Sequence, residues 1–138
     1  MTRTPAGIRA EEQHSEYANL NLGEIGPHGD TLAYLNGEQV NVFGGIPGEE
    51  IVGRIVRYKP RRKRNRRLSA IVTEVLEASP HRIQPPCPYF GPCSGCQWQH
   101  ISYQRQLQLK REALEVQFRD YPGLASVSVS PTRAAPSR

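Results

Sequence analysis

The sequence predicts a mainly β fold: a small five-stranded barrel, then a Cys-rich loop and one amphipathic helix. Three observations predict it. Five short runs rich in Val, Ile, Leu and Tyr fall between Glu16 and Ala78, each is separated from the next by turn-forming residues, and only one later stretch spaces apolar residues as a helix does. Gly and Pro number 12 each, a high share that still leaves enough other residues for a packed core.

The strand runs are Tyr17–Leu22, Thr31–Leu35, Gln39–Phe43, Ile51–Tyr58 and Leu68–Leu76. The breaks at 23–30, 36–37, 44–48 and 60–67 carry Gly, Pro, Asn and Asp, whose backbone preferences suit turns. Asn36-Gly37 sits between two of the runs, and both residues tolerate the positive φ that a two-residue type I′ turn requires, so 31–43 is predicted as a hairpin. Residues 1–15 are polar and aperiodic and form a frayed lead; 16–78 form the barrel; 79–138 hold the Cys loop, the helix and the start of a further region.

Between Ser79 and Pro88 the prolines exclude both a helix and a central strand, leaving an extended connector. Ser102 is placed to cap a helix whose apolar face is predicted from Tyr103, Leu107, Leu114 and Phe118, running to about Arg119 before Tyr121-Pro122-Gly123. Val127 and Val129 alternate with Ser126, Ser128 and Ser130 like the start of a strand. Neither that strand nor the helix face has an obvious partner in the sequence.

Charge is concentrated. Lys and Arg number 18 against 13 Asp and Glu, yet nine of the cations lie between Arg54 and Arg67, with no acid among them. The remaining nine cations are outnumbered by the acids, so the positive charge forms a patch on one loop. Arg57, Lys59, Arg61, Arg62, Lys63, Arg64, Arg66 and Arg67 are the predicted nucleic-acid contacts, because forked guanidinium groups grip phosphates and a charged inter-strand loop on an OB-like barrel is a recurrent way to hold single strands. The competing reading of such a run is a solvated face.

Cys87, Cys93 and Cys96 form a C-x5-C-x2-C pattern in a loop of Pro and Gly, and soft thiolates at this spacing suit an iron–sulfur cluster or zinc. Both usually require four protein ligands, and the sequence holds three Cys. His100, four residues on, would complete a zinc site of three Cys and one His with unusually short spacing. Tyr89, Phe90, Trp98 and Tyr103 crowd the same region, either to shield a metal or to stack on bases; Trp98 is not assigned.

Other chemistry finds no support. No Gly-rich loop joins a strand to a helix to cradle a nucleotide, no catalytic residue is identified, and the pairs Glu11-Glu12 and Glu49-Glu50 read as surface acids. No apolar run reaches the ~18 residues of a membrane span, and residues 1–15 lack a signal-peptide core, so a cytoplasmic protein is expected.

The segments Gly26-Pro-His-Gly-Asp-Thr-Leu-Ala33, Val42-Phe-Gly-Gly-Ile-Pro-Gly-Glu49 and Ser79-Pro-His-Arg-Ile83, with the basic loop between the last two, resemble a TRAM domain. Pro86-Cys-Pro-Tyr-Phe-Gly-Pro-Cys93-Ser-Gly-Cys96-Gln-Trp-Gln-His100 and the following residues to Leu107 are similar to the iron–sulfur segment of the bacterial RNA uracil-5-methyltransferases. The resemblance implies a TRAM barrel that binds RNA, most often ribosomal RNA. It also implies that Cys87, Cys93 and Cys96 are three of four ligands to a [4Fe–4S] cluster, and that the parent enzymes use S-adenosylmethionine. In that family the fourth Cys, the S-adenosylmethionine pocket, the nucleophilic Cys and the general base lie further along the chain, and no position here matches them. The chain is therefore expected to be the RNA-binding front portion of such an enzyme and inactive alone. The alternative is a stand-alone RNA-binding module, with zinc held by the three Cys and His100 or a cluster completed by a partner.

Overall fold

The structure, a computed structural model, describes residues 16–57, 68–93 and 95–136. Five strands form one sheet: β1 (Tyr17–Asn21), β2 (Thr31–Leu35), β3 (Glu38–Phe43), β4 (Glu50–Arg57) and β5 (Leu68–Glu77). One helix, α1 (Tyr103–Arg119), follows. The five predicted strands are therefore present, each within a residue or two of its expected ends.

Strand order is β1-β4-β5-β3-β2, with every neighbour antiparallel except β3 and β5. The sheet curls so that its two edges meet just beyond β1, where Gly23 N–H donates to Leu32 O at 2.8 Å and Leu32 N–H donates to Glu24 O at 2.9 Å. That closure leaves little open edge, and the molecule is the small OB-like barrel the alternation predicts. The hairpin between β2 and β3 turns on Asn36 and Gly37, both at positive φ (50° and 79°).

Alternation decides the core. Leu20, Ala33, Val40, Val42, Ile51, Ile55, Leu68 and Ala70 are buried in the core, and along β1 to β4 they alternate with more exposed neighbours, whereas the start of β5 also buries Ser69. A second cluster lies under the helix and joins Ile25 and Ile46 of the barrel's loops to Ile101 and Leu109, with Trp98 and Ala113 against it.

The helix corrects two expectations. It packs on the barrel's loop residues Ile25 and Ile46 through Leu109, its one buried residue, whereas Tyr103 and Leu114 of the predicted stripe are exposed. Side chains at 98, 101, 109 and 113 meet because the chain enters α1 through the tight Trp98–Ile101 turn, a geometry that spacing within the helix alone does not contain. The expected strand at Val127–Val129 is likewise absent: 127–136 form no strand, for want of a partner. The chain there runs back along the helix, and Ala135 N–H donates to Tyr103 Oη at 2.8 Å.

Candidate nucleic-acid interface

Lys59, Arg61, Arg62, Lys63, Arg64, Arg66 and Arg67 lie outside the described residues, on the segment joining the end of β4 to the start of β5. Arg57, the last residue of β4, is described. Its guanidinium makes two 3.0 Å bonds to the Glu16 carboxylate, Nε to Oε2 and Nη2 to Oε1. The hydrogen bonds and charge of Arg57 hold the Glu16 carboxyl below its ordinary range. Of the predicted phosphate contacts, Arg57 thus begins with an internal anion.

The Cys loop is seated on the barrel by three closely spaced devices. Gln97 Nε2 donates to His28 O at 3.0 Å, Trp98 Nε1 donates to Gly29 O at 2.8 Å, and His100 Nε2 lies 3.1 Å from Gly45 O. Gly29 sits at φ +82°, and an added Cβ would come within 3.1 Å of Gln97 Oε1 and 3.3 Å of Trp98 Cζ2, so only glycine lets these side chains approach the turn. The Pro27–Gly29 and Gly44–Ile46 stretches serve as the seat for the loop as well as linking strands.

A buried ion pair fixes the connector. Glu49 has a fully buried side chain; its two oxygens accept from Arg82 Nε and Nη2, each at 2.7 Å, from Ser79 N–H at 3.1 Å and from Ile46 N–H at 2.9 Å. Arg82 Nη2 also donates to Gly44 O at 2.8 Å. Burial alone would raise the Glu49 carboxyl, but Arg82 and the two backbone donors together outweigh it and lower the pKa. This corrects the reading of Glu49-Glu50 as a surface pair. The missed signal was Arg82 within Ser79–Ile83, a cation near a carboxylate in space and far from it in sequence.

His100 is buried too, and burial is the main cause that lowers its pKa, so the ring is neutral. With Nε2–H donated to Gly45 O, Nδ1 is left buried without a partner, beside the Phe90 ring at a centroid distance of 5.5 Å. Cys87, Cys93 and Cys96 are free thiols, the last two exposed. The loop is shaped by Phe90 N–H to Cys87 O (3.2 Å), Cys93 N–H to Tyr89 O (3.0 Å) and Cys87 N–H to Gln99 Oε1 (3.2 Å). Three thiols on one short loop suit a soft metal centre in kind. Among the described residues, however, no three of His, Cys, Asp and Glu are gathered as a metal would hold them, so neither the three thiols alone nor the thiols together with His100 form an assembled ligand set. Tyr89 and Tyr103 are exposed.

Between the sheet and this loop lies a cleft of about 470 Å³ lined by Phe43, Ile71, Phe90, Cys96, Trp98 and His100 with several glycines. No helix among the described residues is long and apolar enough to cross a membrane.

No family model matches the chain. Curated relatives do. An uncharacterized RNA methyltransferase of Halalkalibacterium halodurans is 35% identical over 115 residues, covering 82% of this chain and 24% of the relative. One from Chlorobaculum tepidum is 41% identical over 90 residues, 65% of this chain and 18% of the relative. The 23S rRNA (uracil(1939)-C(5))-methyltransferase RlmD of Vibrio parahaemolyticus is 33% identical over 123 residues, 89% of this chain and 27% of that enzyme. The chain thus spans about a quarter or less of the length of these relatives.

Proposed function

We propose, from the membership of this chain in the RNA methyltransferase family, that it is the RNA-binding portion of a uracil-5-methyltransferase acting on ribosomal RNA in the cytoplasm. The observation that carries the reading is the run of cations from the end of β4 to the start of β5, Arg57, Lys59, Arg61, Arg62, Lys63, Arg64, Arg66 and Arg67, with no acid among them, on a barrel seated against a second unit. Likeness to an enzyme named for a 23S rRNA uracil supports the substrate class. Residues 16–78 are the TRAM-like unit. Methyl transfer, with S-adenosylmethionine as donor, belongs to the part of the relatives that this chain does not span.

Cys87, Cys93 and Cys96 are the three residues that would hold a [4Fe–4S] cluster, whose chemistry supplies strong thiolate–iron bonds that tie the loop to one shape. In this chain the surrounding residues already present the loop: Gln97, Trp98 and His100 anchor its C-terminal end, and the Glu49–Arg82 pair anchors the connector that enters it.

The test is binding of labelled single-stranded and loop-containing RNA at several salt concentrations. Phosphate neutralisation releases counterions, so affinity should fall with salt along a log–log slope that reflects roughly four to six contacts. Replacing Arg61, Arg62, Arg64 and Arg66 together with Ala should flatten that slope. An unchanged slope would show that the loop does not touch RNA.

A further inference from the structure

Strand register assembles a row of side chains that no single segment of sequence displays. Tyr17 of β1 pairs with Arg54 of β4, Arg54 pairs with Ile71 of β5, and Ile71 pairs with Phe43 of β3. Directly opposed residues in a sheet project to the same face. Their neighbours Ala18, Ile55, Ala70 and Val42 pack in the core, so this row faces out, and Tyr17, Ile71 and Phe43 are 56%, 41% and 44% exposed. Three strand spacings of about 4.8 Å give it a length of about 14 Å.

The row runs from the β1 edge of the sheet to the cleft, because Phe43 and Ile71 also line the space facing Phe90, Trp98 and Cys96. Its one charged member is a cation, and among the described residues Arg54 is in no ion pair. After Arg57, the end of β4, the sequence runs into the segment that carries seven Lys and Arg and no acid. Flat rings spaced along a strip with a guanidinium between them match a single strand that stacks its bases on the row and turns its phosphates to the other side.

We infer that Tyr17, Arg54, Ile71 and Phe43 form a stacking platform for unpaired nucleotides of the RNA, which leads the strand across the sheet face into the cleft beside the Cys loop. The inference rests on the RNA-binding reading and deepens it by assigning single-stranded RNA to a defined face. A duplex keeps its base faces occupied by stacking and has nothing to offer the row, whereas unpaired bases do.

The experiment uses the full chain and a fluorescent unstructured oligouridylate, read by anisotropy at several salt concentrations, with a duplex RNA in parallel. Tyr17→Ala and Phe43→Ala should each weaken oligouridylate binding roughly five- to a hundred-fold, the range set by losing one base stack, with the salt slope unchanged. Tyr17→Phe and Phe43→Tyr should bind like the parent, and duplex binding should not respond to either Ala variant. Trp98, the single Trp, reports on the cleft and should change its emission on oligouridylate binding in the parent chain. Both substituted positions being at the surface, thermal unfolding should be nearly unaltered. Salt-dependent RNA binding that ignores both Ala variants would overturn the platform and leave the basic loop intact as the binding element. Failure of the parent chain to bind either RNA would overturn the RNA-binding reading itself, and the platform with it.

Discussion

Arg82 lies across the Glu49 carboxylate with two 2.7 Å contacts, and this pair, 33 residues apart in sequence, ties the connector after the barrel to the turn before β4. Each oxygen of Glu49 accepts a second bond from a backbone N–H, so the buried charge is fully solvated by protein. The connector leaves the barrel in one direction as a result.

Removing one partner strands the other. Arg82→Ala leaves a buried carboxylate facing only two amides and should destabilise the chain by on the order of 3 kcal/mol, read as a lower urea midpoint. The pH dependence has a definite sign. Because the folded-state pKa of Glu49 lies below the ordinary carboxylate value, its contribution is complete above that value and is lost as pH falls through the lowered one. Glu49→Gln should remove that acid-limb loss; an acid limb identical to that of the parent would count against the assignment.

His100 adds a second, separate window. Its folded pKa is lowered, chiefly by burial, so on acidification from the ordinary imidazole value the unfolded chain takes up a proton before the folded one does. Stability should therefore decline from about pH 6.5 downward until the folded ring itself titrates. His100→Gln, which keeps a donor for Gly45 O, should flatten that part of the stability curve.

Leu109 fastens the helix. Leu109→Ala should cost about 2–5 kcal/mol as a buried leucine replaced by a small residue, and should shift Trp98 emission because Trp98 packs on the same cluster. Leu114→Ala, on the exposed side of α1, should change stability by less than about 0.5 kcal/mol.

The β2–β3 turn depends on backbone conformation alone. At Gly37, φ is 79° and a Cβ would meet nothing within 4 Å, so Gly37→Ala isolates the strain of left-handed backbone and should cost about 1–2 kcal/mol in thermal or urea unfolding. A neutral result would mean that the hairpin can adopt another turn.

The thiols make a chemical prediction. Anaerobic reconstitution with iron and sulfide should give a weak, oxygen-labile chromophore, because three thiolates leave one iron without a protein sulfur. Changing any one of Cys87, Cys93 or Cys96 to Ser should abolish it. A chromophore that survives in air at four irons per chain would contradict a three-thiolate site.

Much of this molecule is legible in its residues. Period-two alternation and Gly, Pro and Asn punctuation place all five strands, and Asn36-Gly37 places the hairpin, because those signals act between neighbours in sequence. The basic loop and the three thiols are equally plain, since composition and spacing carry them. The tertiary structure alone decided the rest. It buried Glu49 by bringing Arg82 to it, chose Leu109 over Leu114 as the helix anchor, and gave Val127 and Val129 no strand to pair with. It also aligned Tyr17, Arg54, Ile71 and Phe43 in one row, through a parallel β3–β5 pairing that joins segments distant in the chain. Each of these depends on which distant residues meet, and the physics that settles such meetings is closure of the sheet and packing of its core, which no local pattern encodes.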